Sequence, residues 1–125
     1  MYDQKLVLEI LTQVLTAVQT IIQRFEPVTS AQDFVKTPAG REKLDAICMQ
    51  LIAIGESIKN IDKITGSSLL SQYPEINWKG VKGIRDVISH QYFDIDAEEN
   101  YGVCSDYMVP LSETVQKMID KFEQQ

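Results

Sequence analysis

The chain has 125 residues, 44% hydrophobic and 24% charged, with a formal net charge of −6. That length suits one domain spanning residues 1–125 and leaves little room for a large cofactor cavity. The acidic balance excludes broad, non-specific nucleic-acid binding, where many cations displace counterions from phosphates, but it leaves space for a small local phosphate site. Val7, Leu11, Val14, Val18, Ile21 and Phe25 are spaced four and three apart, which predicts one apolar stripe on a first helix. Pro27 ends it. Ser30 with Asp33 predicts a capped start for a short turn around Phe34.

Thr37-Pro38 is a helix entry, a capping hydroxyl followed by proline at the first position. Leu44, Ile47, Leu51, Ile54, Ile58 and Ile61 then repeat the helical spacing, and Gly66 is the expected stop. Ser67 to Ile76 reads as a connector holding one helical turn. Asn77 predicts the cap of a third long helix from Trp78 to about Tyr92. Asp96-Ala97-Glu98-Glu99 resembles a capping box ahead of a last helix carrying Ala97, Tyr101, Cys104, Met108, Leu111, Val115, Met118 and Phe122. Pro110 is expected to kink that helix, and Gly102 to allow close helix packing. Such stripes bury themselves best against one another. The expected fold is all-α: an antiparallel up-and-down bundle of four long helices with one or two short extra helices.

The N-terminus, Met1-Tyr2-Asp3-Gln4-Lys5, lacks the pattern of a signal peptide. No run reads as apolar enough to span a membrane. Cys48 and Cys104 match no metal or redox spacing and are expected to be buried thiols in a reducing cytoplasm. With His90 as the single histidine, and no paired cysteines or phosphate-binding glycine loop, neither a nitrogen- or sulfur-ligated metal nor a cofactor is expected.

Chemistry concentrates on the third helix. At about 100° per residue, Val81, Ile84, Val87 and Ile88 fall on one side and Lys79, Lys82, Asp86 and His90 on the other. Arg85, Trp78 and Tyr92 lie along one boundary. Asp86 is four residues before His90, close enough to orient an imidazole or raise its basicity. Lys79 and Lys82 are candidate phosphate ligands, and the rings of Trp78, His90 and Tyr92 could stack on a base. The bland alternatives are a surface histidine, an Arg85 salt-bridged to Asp86's neighbours or to an acid on another helix, a core-sealing Tyr92 and solvated lysines. Arg85 and His90 are five apart, roughly 140° around an ideal helix. A second copy of the chain, related by a two-fold axis beside this helix, would bring both into one groove.

Arg85, four residues, His90, one residue and Tyr92 form the pattern R-x4-H-x-Y. It resembles the motif of HepT-like proteins in the HEPN superfamily. Ile52-Ala53-Ile54-Gly55-Glu56-Ser57 resembles that family's I-G-E-A segment, Tyr73-Pro74-Glu75-Ile76-Asn77-Trp78 its H-P-E-I-P-W approach, and Tyr92-Phe93-Asp94-Ile95-Asp96 its D-Y-F-G-V-D exit. Asp86 stands where the family often has asparagine, Gln91 where aspartate is common, and Cys104 near a frequent tryptophan. The resemblance implies a homodimeric, cytoplasmic, metal-independent endoribonuclease toxin. It also implies a partner, an MNT-type nucleotidyltransferase antitoxin that in some pairs adds AMP to the motif tyrosine. By position, Arg85 and His90 would be catalytic, Asp86 and Ser89 supporting, and Tyr92 the modified residue or a contact to the RNA substrate. The competing expectation, favoured by the acidic surface, is a non-catalytic HEPN helical module that docks on the nucleotidyltransferase.

Overall fold

A computed structural model describes residues 2–90 and 96–124, excepting the side chains of Ser89 and His90. Three long helices form its frame: α1 (Gln4–Phe25), α2 (Pro38–Ile64) and α5 (Ala97–Glu123). Two short helices, α3 (Trp78–Lys82) and α4 (Ile84–His90), stand where a fourth long helix was expected. Single 3-10 turns occupy Ala31–Phe34 and Leu70–Gln72. The expected all-helical class holds among the described residues. The fourth long helix does not, because the backbone breaks at Gly83, which caps α3 by donating its N–H to the Lys79 carbonyl at 3.1 Å.

Helix α1 packs against both α2 and α5, while α3 and α4 pack against α2. The predicted stripes supply the core: Val7, Leu11, Val14, Val18 and Ile21 of α1 are buried, as are all six expected residues of α2. Cys104, Met108, Leu111, Val115 and Met118 of α5 join them. Burying stripes of this kind is the main favourable term in such a fold. One expectation needs correction: α1, at 22 residues, is long and apolar enough by length and composition to cross a membrane. Its packing between α2 and α5 explains that composition as a core helix, and its exposed face carries Glu9, Thr12, Gln13, Thr16 and Gln19.

Local chemistry sets the helix starts. The side chains of Thr37, Asn77 and Asp96 accept from the backbone N–H three residues on, at 3.0, 3.1 and 3.0 Å. Ser30 makes no such bond. Instead Asp33 reaches back, accepting from the Thr29 N–H at 2.8 Å and its hydroxyl at 3.0 Å. These bonds hold the Asp33 carboxyl below its ordinary range. At the far end of α2, Gly66 adopts φ 59°, the left-handed conformation that glycine accepts without strain, so the helix stops there as expected. Helix α5 runs on through Pro110.

Phe25 and Tyr101 have ring centroids 5.1 Å apart, and the Tyr101 hydroxyl donates to the Thr29 carbonyl at 3.1 Å, which fastens the start of α5 to the end of α1. Cys48 and Cys104 are buried free thiols, as expected. Burial pushes them up to about 11 and about 12; Asp45 adds to the first, and Cys48 to the second. The Cys48 thiol donates to the buried Asn100 Oδ1 at 3.7 Å.

Candidate active site

Gly55 decides how closely α3 and α4 approach α2. A Cβ at Gly55 would lie 2.8 Å from both Ile84 Cγ2 and the Val81 carbonyl oxygen. Only a residue without a side chain lets the α3–α4 break sit that deep. Gly102, the glycine expected to serve close packing, faces open space, since a Cβ there would meet nothing within 4 Å.

Trp78 anchors the other end of the segment. It is buried, and its indole N–H donates to the Tyr73 carbonyl at 2.8 Å. A ring held that way is unavailable to stack on a base, which corrects the expectation for Trp78. Ile88 is buried, Val81 and Ile84 are half-buried, and Val87 is exposed instead of facing the core as expected. Ile84, Val87 and Ile88 all lie on α4, and of the three only Ile84 and Ile88 turn inward, so the apolar stripe on this short helix is wider than the face it buries.

Two ion pairs tie the segment to α2. Lys82 Nζ donates to Asp62 Oδ2 at 2.8 Å, with both side chains largely shielded. Lys82, expected as a phosphate ligand, is thereby committed to the fold. Lys79 remains exposed on α3. Arg85 Nη1 donates to Glu56 Oε1 at 3.0 Å, while the arginine side chain stays 58% exposed. The acid on another helix is therefore Glu56. The Arg85 hydrogen bond, aided by Lys59, holds its carboxyl below the ordinary value of 4.5.

The Arg85 contact uses one nitrogen of a guanidinium that carries five N–H donors. Its exposure and planar fork suit it to engage a phosphoryl group while Glu56 fixes its position. Asp86 is exposed on the next position of α4. His90 is the last residue of α4, five positions beyond Arg85. The side chains of Ser89 and His90, and the whole of Tyr92, lie outside the described residues. Sequence reasoning overlooked Glu56 and Lys59, although Glu56 falls inside the quoted I-G-E segment.

Comparison with known proteins adds a second line of observation. A model of the family described as "Ribonuclease HepT-like" matches residues 14–118. A candidate RNase of Caldanaerobacter subterraneus subsp. tengcongensis is 30% identical over 115 residues, covering 92% of this chain and 86% of the relative. A candidate RNase of Methanocaldococcus jannaschii is 36% identical over 53 residues, which is 42% of this chain and 40% of that one. No solved structure matches. A family match spanning all but the two ends, with a relative matched over most of both chains beside it, makes this chain a member of the HepT-like ribonuclease family.

Proposed function

We propose that the chain is a metal-independent endoribonuclease working from Arg85 and His90. The observation that carries this is the exposed Arg85 guanidinium, held by Glu56 at the head of the R-x4-H-x-Y run in a ribonuclease family. RNA brings its own nucleophile. The 2′-oxygen attacks the adjacent phosphorus, a P–O bond forms, and the bond to the 5′-oxygen breaks. His90 takes the 2′-hydroxyl proton or, protonated, returns one to the leaving oxygen. Arg85 stabilises the charge that gathers on the phosphoryl oxygens in the transition state. Asp86 and Ser89 support the pair, and Lys79 is the remaining candidate phosphate contact of the two lysines expected.

The products of this chemistry are a 2′,3′-cyclic phosphate and a 5′-hydroxyl. Purified protein incubated with RNA in excess chelator should yield those ends; cleavage that requires added divalent metal contradicts the mechanism. The active form is a homodimer in which a second copy of α4 closes the gap between Arg85 and His90. A mass near one chain by sedimentation, in a preparation that cuts RNA, would refute this.

The biological role that fits is the toxin of a cytoplasmic pair, restrained by an MNT-type nucleotidyltransferase that adds AMP to Tyr92. Intact-mass measurement after co-expression should show increments of AMP that vanish in Tyr92→Phe. The net charge of −6 favours a second role, a helical module that docks on the nucleotidyltransferase without cutting RNA. Partner binding by a protein that never cleaves would select it.

A further inference from the structure

Glu56 Oε1 meets two cations. Arg85 Nη1 lies 3.0 Å away on α4, and Lys59 Nζ lies 3.7 Å away, one turn along α2. Touching one oxygen keeps the two cations close together, although they come from different helices. Both remain open, with side chains 58% and 52% exposed. Lys82 differs: its bond is shorter and its Asp62 partner is only 18% exposed. An exposed, long ion pair between residues three apart on one helix is worth little, so Lys59 can leave Glu56 for a stronger anion at small cost. Lys82 gives up more.

We propose that Lys59 is a substrate-binding residue, contacting an RNA phosphate beside the one engaged by Arg85. Glu56 sets the spacing of the two cations, and the strand runs along the seam between α2 and α4. The inference rests on the ribonuclease function proposed above and adds a half of the site that α2 supplies. Lys59 binds; it takes no part in bond making or breaking.

The test is salt dependence. Each phosphate contact on a single strand contributes a slope of about 0.7 in log affinity against log salt. The probe is a 2′-O-methyl oligoribonucleotide, which lacks the nucleophile and stays intact. Lys59→Ala should lower the slope by about 0.7 per site, so that its affinity falls about 2.6-fold less than wild type's when salt rises fourfold. Lys59→Arg should restore the slope. Lys121→Ala, the same charge change on exposed α5, should leave it unaltered. Cleavage at limiting RNA should fall in Lys59→Ala and hold at the wild-type rate in Lys121→Ala. If wild type cuts RNA but Lys59→Ala and Lys121→Ala share one slope, this inference alone falls. If wild type neither binds the probe nor cuts RNA, the ribonuclease function falls with it.

Discussion

Replacing Gly55 and Gly102 with alanine should have unequal effects. Both glycines sit inside long helices, and neither has a positive φ. Alanine is therefore favoured at both by about 1 kcal/mol on helix propensity. At Gly102 nothing opposes that gain, because the new methyl meets no atom within 4 Å. At Gly55 the methyl would lie 2.8 Å from Ile84 Cγ2 and from the Val81 carbonyl oxygen. The isoleucine can rotate, but the carbonyl belongs to α3 and moves only with the backbone. Overpacking of that kind costs about 1–3 kcal/mol. The propensity gain cancels in a comparison of the two variants, leaving the steric cost. Gly102→Ala should melt above wild type, and Gly55→Ala below Gly102→Ala by about 4–12 °C, taking roughly 4 °C per kcal/mol for a domain this size. Thermal unfolding by circular dichroism measures this. RNA cleavage should fall in Gly55→Ala as well, because displacing α4 carries Arg85 away from Glu56. A Gly55→Ala protein as stable as Gly102→Ala and fully active would refute the packing argument.

Further outcomes follow from the same contacts. The Glu56 carboxyl should titrate below 4.5 by NMR and move up toward that value in Arg85→Ala. Because its folded-state value is lowered, the Arg85–Glu56 contribution to stability is present above the unfolded-state range and disappears as pH falls through the folded value. An unchanged titration in Arg85→Ala would contradict the pairing. Cys48 and Cys104, held up at about 11 and about 12, should resist alkylation at pH 8 until urea unfolds the chain. Fast native-state labelling would contradict their burial. Glu56→Ala should lower turnover more than Glu56→Gln, which keeps an oxygen for Arg85; equal losses would show that Glu56 acts through its charge alone.

Short-range features were legible in the sequence. Thr37, Asn77 and Asp96 cap their helices through bonds three residues long, and the apolar stripes of α1, α2 and α5 follow helical periodicity. What periodicity could not reach was contact between helices. It joined α3 to α4 because Gly83 alone does not announce a break, and it could not tell that Val87 stays exposed while Trp78 is buried. It had no means of pairing Arg85 with Glu56, 29 residues away. The Ile54-Gly55-Glu56 segment was noted only as a resemblance. Packing supplies its physical content: the glycine admits α4, and the glutamate beside it holds the arginine that arrives.

Cleavage by the Arg85→Ala and His90→Ala variants, measured beside wild type in chelator, tests the central claim most directly. Loss of an exposed ion pair should barely alter folding of Arg85→Ala. Each variant should lose about 100-fold or more in cleavage rate, the scale expected for removing an electrostatic stabiliser or a general acid–base. Wild-type rates in both variants would contradict the assignment of the site.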